Sequence, residues 1–416
     1  MRPLAIAILL GIAGAVFSEL EEAFPELSAW VPRVLFPSRA DPQVAQVILA
    51  GIAGSIMTVV SIVFAILLMT LTLASVQFSP RILISFVRDR TTQWTLGIFL
   101  GTFSYCMAAL PAARSVPTAF SPVATVSGAM LLSLLCVGWL IFFIFHISQA
   151  ISVNYIVDRI AGETERVIDD LMPHRRSRSY QSAATPPVPD RPLTPVAAPV
   201  SGYIRFIDTR RLLAVAASTR LYVRVLRRVG HFVPAGVQLF AVSRADRLSE
   251  EVHDRLLACF DLGPVRTLQQ DAEFGMVQIA DIALKAISPA VNDPSTAINC
   301  LDQLGRIMIR WIARDPPDAA LYDPPHVVRV AIPWIDLDGL LDTGFELIRH
   351  YAEGDLPVSL RMLRVLQDMA STTDDAEIRA RLRMRGDRVF EGCRRRLDEV
   401  ALERLRQRLE ALHAAL

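Results

Sequence analysis

VAQVILAGIAGSIMTVVSIVFAILLMTLTLASVQFSPRILISF, residues 44–86, is the stretch that decides the fold of this chain. No charged residue occurs between Val44 and Ala74. Because about 20 apolar residues in a helix cross the roughly 30 Å hydrocarbon core of a bilayer, this run predicts a transmembrane helix over 44–74. The run ends in a polar segment that includes Gln77, Ser79, Pro80 and Arg81.

One side of this predicted helix is small and hydroxyl-bearing. At 100° per residue, its small and hydroxyl residues fall within about a third of the helix circumference, although Ile62 and Met69 interrupt them. These residues, called the hydroxyl stripe below, are Gly51, Gly54, Ser55, Thr58, Ser61, Ala65 and Thr72. The rest of the surface is Ile, Val, Leu, Met and Phe, so the helix is predicted to have one side for lipid and another for protein or water.

Composition divides the chain into a membrane half and a soluble half. The 416 residues are 52% hydrophobic, and their mean hydropathy of +0.37 is high for a soluble protein. The hydrophobicity lies mostly in residues 1–150, while the remainder is rich in arginine. The five cysteines have no metal-binding spacing, and those of the soluble half are expected to be reduced thiols if that half is cytoplasmic.

Three further apolar runs predict the other spans of a transmembrane domain over 1–150. They cover about 3–18, 94–110 and 122–149. The first run could instead be a short signal peptide, but no convincing small-x-small cleavage site follows it, which favours a membrane helix. In the third span, Gly97 and Gly101 form a small-xxx-small pair. Such a pair favours close contact between helices, with a role in an ion path as the alternative.

Arginines in the connecting loops indicate the orientation. Loop 78–93 carries three arginines and the segment after residue 150 carries several more, whereas loop 111–120 carries only Arg114. The positive-inside rule therefore places loop 78–93 and the soluble half in the cytoplasm. Four spans with both termini in the cytoplasm satisfy this pattern.

The soluble half is predicted to have four parts. Residues 151–172 read as a helical extension of the fourth span, and the Pro-, Ser- and Ala-rich residues 173–200 as a linker. Residues 201–245 contain the short runs SGYIRFID, LLAVAAS, LYVRVLRRVG and VQLFAV, which predict a small β domain. Residues 246–416 predict a helical domain, with helices at 250–260, 271–287, 294–313, 336–352, 355–370 and 374–415.

Residues 229–240 resemble the hairpin of barrel-sandwich domains of the lipoyl-like kind. Gly230 and Gly236 suit the turns of such a hairpin, and no lysine lies at its tip for attachment of lipoyl or biotin. The resemblance therefore implies a barrel-like shape without a carried cofactor.

Residues 269–294 are the most unusual part of the soluble half. Asp271, Glu273 and Asp281 are candidates for a carboxylate cluster that binds a cation. The favoured alternative is structural, with helix capping, helix pairing and a tight turn.

Two features carry this structural interpretation. Asp281 and Lys285 form a favourable i,i+4 pair on a helix. Asn292, Asp293 and Pro294 form a helix start, with Asp293 as the cap and the proline in the first turn.

Three long motifs, in order along the chain, carry a family resemblance. They are ASVQFSPR at 74–81, SGYIRFID at 201–208 and QQDAEFGMVQIADIALKAISPAVNDPSTA at 269–297. Together with the N-terminal region of four predicted spans, they resemble a bacterial family of predicted membrane proteins, the domain of unknown function 2254 family. The resemblance covers nearly the whole chain. Ala290 and Val291 stand where the family more often has Gly-Ile. The resemblance implies an integral membrane protein of the inner membrane with a cytoplasmic domain, and it implies no particular activity.

The predicted fold class is therefore a multipass α-helical membrane protein with four transmembrane helices and a cytoplasmic α+β region. That region comprises a small β barrel-like domain followed by a helical domain. An enzyme is not expected, because the sequence contains no phosphate-binding loop, no dinucleotide-binding turn, no kinase motif and no nucleophile elbow. A coupled transporter is disfavoured, because the predicted spans lack the intramembrane carboxylate, lysine or arginine that such proteins usually use.

Two function classes remain. The first is a homo-oligomeric channel, most simply for monovalent cations, lined by Ser55, Thr58, Ser61 and Thr72. Its gate would lie at the elbow formed by Gln77, Ser79, Pro80 and Arg81. The second is a non-conducting membrane-anchored sensor or scaffold, in which the same stripe packs helices and the soluble half binds a partner or ligand. Neither reading requires a cofactor, a metal or a nucleic-acid partner.

Overall fold

A computed structural model describes residues 2–24, 26, 41–77, 90–114, 119–150, 152–173 and 192–416. The chain contacts divide it into two compact units, Met1–Ser152 and Val153–Leu416. We call them the membrane unit and the soluble unit and describe each by itself.

The membrane unit contains four long helices. They are α1 (Arg2–Ala23), α2 (Pro42–Gln77), α3 (Arg90–Ala109) and α4 (Val123–Ala150). All four are long and apolar enough to cross a membrane. The four apolar spans predicted from the sequence are therefore confirmed as helices; α1 and α2 extend beyond their predicted ranges at both ends, and α3 and α4 at one end.

Glycines let α1 and α3 approach each other closely. A Cβ atom added to Gly14 would lie 2.5 Å from the carbonyl oxygen of Tyr105. Added to Gly101, it would lie 2.4 Å from Leu10 Cδ1. Gly97 is equally close to α1, and the predicted small-xxx-small pair therefore does lie at a close helix contact.

Glu21 joins the end of α1 to the start of α4. Its side chain is 1% exposed and accepts hydrogen bonds from the backbone N–H groups of Ala124 and Thr125, at 2.7 and 2.8 Å. The Thr125 hydroxyl donates a third hydrogen bond, at 2.8 Å. A carboxylate suits this place, because the first N–H groups of a helix have no partner within the helix.

The soluble unit alternates helices and short strands. Its helices are α5 (Val153–Leu171), α6 (Thr209–Thr219), α7 (Glu250–Leu257), α8 (Ala272–Ala286), α9 (Pro294–Ile312), α10 (Leu337–Leu341), α11 (Leu347–Tyr351), α12 (Leu356–Ser371), α13 (Ala376–Cys393) and α14 (Glu399–Ala415). Its strands are β1 (Leu193–Ala197), β2 (Gly202–Ile207), β3 (Val223–Val225), β4 (Phe232–Val233), β5 (Gln238–Ser243), β6 (Phe260–Gly263), β7 (Ala320–Asp323) and β8 (Val327–Ala331). A π-helical turn, Asp342–Glu346, joins α10 to α11, so the helix predicted over 336–352 is interrupted.

The strands form two open sheets, with the orders β1-β5-β3-β8-β7 and β4-β2-β6. The barrel-like prediction is not supported, because these sheets do not close. The segment that resembled a barrel-sandwich hairpin instead crosses from one sheet to the other. β4 pairs with β2, while β5 pairs with β1 and β3. Gly236, at φ +80°, lies in the turn between β4 and β5.

The run LLAVAAS, predicted as a strand, is a helix. It lies in α6, where Asp208 caps the first turn by accepting a hydrogen bond from the Arg211 N–H at 2.9 Å. Leu212, Val215 and Ala216 are buried at helical spacing. The helical spacing of its apolar residues and the cap explain why this segment forms a helix and not the predicted strand.

Strands also occur where a linker or helices were predicted. β1 lies within the range 173–200, and Pro195 is accommodated there because β1 is an edge strand. β8 pairs in parallel with β3, so the region predicted as helical contributes to the same sheet as the predicted β domain. The helix predicted over 374–415 is two helices, and Asp398 caps the second by accepting from the Ala401 N–H at 2.8 Å.

We expect Gly14→Ala to destabilise the membrane unit by about 1–3 kcal/mol, because the added methyl group would force the α1 and α3 backbones apart. The matched control is Gly138→Ala on α4, where an added Cβ meets no atom within 4 Å. Thermal unfolding of the full-length protein in detergent measures both variants. Equal unfolding temperatures would contradict the requirement for close approach.

Candidate functional site

One face of α2 packs inside the membrane unit. Its buried residues recur at intervals of three, four and seven and contact α3 and α4. They include Ala45, Leu49, Ala53, Ile56 and Val63, each at most 5% exposed. This spacing is that of one face of a helix, so the packing fixes which way the rest of α2 points.

The hydroxyl stripe lies outside this packed face. All seven residues of the stripe are exposed in the single chain. A Cβ atom added to Gly51 or Gly54 would meet nothing within 4 Å. The described parts of the chain therefore leave the stripe uncovered.

Three of the four stripe hydroxyls donate their hydrogens to their own helix. Thr58 Oγ1 donates to the Gly54 carbonyl at 3.1 Å, Ser61 Oγ to Met57 at 3.0 Å and Thr72 Oγ1 to Leu68 at 2.9 Å. A hydroxyl that has donated its hydrogen keeps free lone pairs on its oxygen. The stripe thus combines small side chains with hydrogen-bond acceptors.

The predicted elbow is described only at its first residue. Gln77 is the last residue of α2. Ser79, Pro80 and Arg81 lie outside the described residues, and their role stays a prediction.

In the soluble unit, Asp271 and Glu273 belong to an ion network with two arginines. Arg266 Nε donates to Asp271 Oδ2 at 2.8 Å, and its Nη2 donates to Glu273 Oε2 at 3.0 Å. Arg228 Nη1 donates to the same Glu273 oxygen at 2.8 Å. Asp271 also caps α8 by accepting from the Phe274 N–H at 3.1 Å. Both carboxylates are therefore neutralised by guanidinium groups.

The backbone at Gly230 closes this network from one side. Gly230 has φ +88°, and an added Cβ would lie 2.4 Å from Asp271 Oδ2 and 2.6 Å from Arg266 Nη2. Only glycine meets both conditions without strain. The sequence suggested a turn at Gly230 but gave no sign of the partners Arg228 and Arg266, because both lie outside the 269–297 motif.

The other residues of the motif lie along α8 and at the start of α9. Asp293 caps α9, since its side chain accepts from the Thr296 N–H at 3.1 Å and the Thr296 hydroxyl at 2.6 Å. Asn292 takes the left-handed conformation, with φ +51°, in the turn before it. Asp281 and Lys285 both lie on α8.

Metal-binding geometry is missing around this motif. Among the residues that the structure describes, no group of three His, Cys, Asp or Glu side chains could hold a metal ion. The cysteines are free and buried, and burial is the main cause that raises the pKa of Cys259 to about 11 and that of Cys300 to about 12. Thiols with such pKa values are poor nucleophiles at neutral pH.

A ladder of ion pairs joins α5 to α9. Arg306 binds Asp158 at 2.7 Å and Glu165 at 2.6 Å. One turn further on, Arg310 binds Asp169 at 2.6 Å. The hydrogen bond from Arg310 is the main cause that lowers the pKa of Asp169. The ladder and the buried apolar face of α5 together hold this helix within the soluble unit.

Comparisons with known proteins agree with the membrane architecture. The family model described as "Predicted membrane protein (DUF2254)" matches residues 1–368. The chain belongs to this family. It is similar to the uncharacterized protein Rv1290c of Mycobacterium tuberculosis and the uncharacterized protein Mb1321c of Mycobacterium bovis. Each is 31% identical over 376 residues, which cover 89% of this chain and 71% of the relative. No solved structure matches the chain.

We expect Glu273→Gln to lower the free energy of unfolding of the soluble unit by roughly 3 kcal/mol near neutral pH, because two largely buried arginines lose their shared charged partner. Burial opposes ionisation of Glu273, but Arg228 and Arg266 outweigh it and lower the pKa of this carboxyl. The contribution of ionised Glu273 to the free energy of unfolding is thus complete above the unfolded-state pKa of about 4.3. It is lost as the pH falls through the lower folded-state pKa. Chemical unfolding of the full-length protein across this pH range measures the difference.

The control for this prediction is Glu403→Gln on α14. Glu403 pairs with Arg406 at 2.7 Å, but its side chain is 52% exposed. Loss of such a surface pair costs about 1 kcal/mol or less. If Glu273→Gln lowers the free energy of unfolding no more than the control does, Glu273 is not the charged partner that stabilises the two arginines. The same follows if its effect persists unchanged into strong acid.

Proposed function

We propose that this protein is a homo-oligomeric ion channel of the bacterial inner membrane, in which the hydroxyl stripe of α2 lines a pathway for monovalent cations. The observation that carries the proposal is the stripe itself, which is exposed along α2 while the opposite face of the helix is packed. Copies of the chain around a symmetry axis would bring identical stripes together and form a polar path without intramembrane charge.

The chemistry of the stripe favours cations over anions. Thr58, Ser61 and Thr72 donate their hydroxyl hydrogens to the helix backbone, so these three oxygens present lone pairs outward. Rings of such oxygens can replace part of the water around a small monovalent cation. Anions would need donors, and three of the four stripe hydroxyls have already committed theirs.

The remaining parts of the proposal follow the chain. Both termini lie in the cytoplasm, the gate is the elbow that begins at Gln77, and the soluble unit regulates it without acting as an enzyme. The alternative is a non-conducting sensor or scaffold, and the internal hydrogen bonds of the same hydroxyls support it, because they also suit dry helix packing.

Cation flux into liposomes that contain the purified full-length protein tests the proposal. We expect Thr58→Leu to reduce the flux about tenfold or more, because a larger apolar side chain at each subunit narrows and dries the path. Thr58→Val, which replaces the hydroxyl with a methyl group of similar size, is expected to reduce the flux less than Thr58→Leu. Oligomeric state, measured by native mass spectrometry, should be three or more subunits for each variant.

Val137→Leu on α4 is the matched control. Val137 is 55% exposed and lies on another helix, so added bulk there should leave the flux unchanged. A wild-type protein that is monomeric and passes no cation at any potential or pH would exclude the channel and leave the scaffold. Equal flux in Thr58→Leu and Val137→Leu would place the path elsewhere.

A further inference from the structure

An open cavity of about 560 Å³ lies in the membrane unit beside the first turns of α2. Its lining residues are Gln46, Ala50, Leu110, Pro111, Ala113 and Arg114. The candidate span of α2 begins at Pro42, and that of α3 ends at Ala112. The cavity therefore lies at the ends of two spans, at the depth where a bilayer has its headgroups.

The cavity combines one cation with an apolar wall. Arg114 Nη2 pairs with Glu22 Oε1 at 2.5 Å, yet the two side chains remain 36% and 41% exposed. Gln46 Nε2 donates to the Ala113 carbonyl at 2.6 Å, which ties α2 to the turn after α3. Ala50, Leu110 and Pro111 supply the apolar part.

We propose that this cavity binds a phospholipid with a phosphoethanolamine headgroup. The phosphate accepts hydrogen bonds from Arg114, and the primary ammonium donates to Glu22. One acyl chain lies along Ala50 and Leu110. The site does not depend on the channel function, since all of its residues belong to one chain.

Charge complementarity selects this headgroup over others. A guanidinium and a carboxylate side by side match a headgroup that carries one anion and one cation. An anionic lipid such as phosphatidylglycerol brings no cation for Glu22 and is repelled by it. Phosphatidylcholine carries a quaternary ammonium, which has no N–H to donate to the carboxylate.

Native mass spectrometry of the delipidated full-length protein in detergent tests the proposal. The probes are phosphatidylethanolamine, phosphatidylcholine and phosphatidylglycerol of matched acyl chains, added singly and in equal mixture. We expect the wild type to retain phosphatidylethanolamine about tenfold better than the other two, as expected for one charge-assisted hydrogen bond. Arg114→Gln should lose most of this binding. Glu22→Gln should keep phosphate binding but lose the preference over phosphatidylglycerol.

Two further variants control for folding and for general charge. Arg114→Lys keeps a cation for the phosphate and should bind within a few-fold of the wild type. Arg90→Gln removes an exposed arginine at the opposite end of α3 and should leave the preference unchanged. Unfolding temperatures without added lipid identify any variant that fails to fold. Equal retention of the three lipids by the wild type, a preference for phosphatidylglycerol, or equal effects of Arg114→Gln and Arg90→Gln would overturn the proposal.

Discussion

The close approach of the α1 and α3 backbones is the constraint on which the membrane unit depends. Lipid offers no hydrophobic drive for helices to associate, so contact depends on small residues that let backbones meet. Gly14 meets the backbone of α3 and Gly101 makes room for the Leu10 side chain, so one side of α3 is committed to α1. α2 then packs on α3 and α4 through its buried face alone. The glycines of α2, Gly51 and Gly54, have no such partner within the described chain.

The sequence predicted the features that depend on local chemistry. Long apolar runs determine the four spans, and Asp293 acts as the helix cap that its position before Pro294 suggested. Features that depend on distant partners were missed. The parallel pairing of β3 with β8 joins residues about a hundred positions apart, and nothing in either strand specifies the other. Arg228 lies 45 residues before Glu273, and nothing in its local sequence indicates this partner.

Arginine–carboxylate pairs join several elements of the soluble unit. Arg228, Arg266 and Arg306 each contact carboxylates of a different element of the unit. Guanidinium groups suit this role, because their planar set of donors binds carboxylates at two points. Buried pairs of this kind add little net stability compared with apolar packing, but removing one partner is costly. The buried pairs of Arg228 and Arg266 therefore help to specify which elements meet, whereas the pairs between α5 and α9 are more exposed and add to the apolar packing of α5.

The direction of the hydroxyl hydrogens links the fold of α2 to what its stripe can do. A serine or threonine in lipid must satisfy its hydrogen, and the nearest acceptor is the carbonyl one turn back. Thr58, Ser61 and Thr72 satisfy theirs in this way. These three hydroxyls can consequently face lipid in an isolated chain with their donors satisfied. In the proposed channel, the same oxygens would offer acceptors toward the common axis of the subunits.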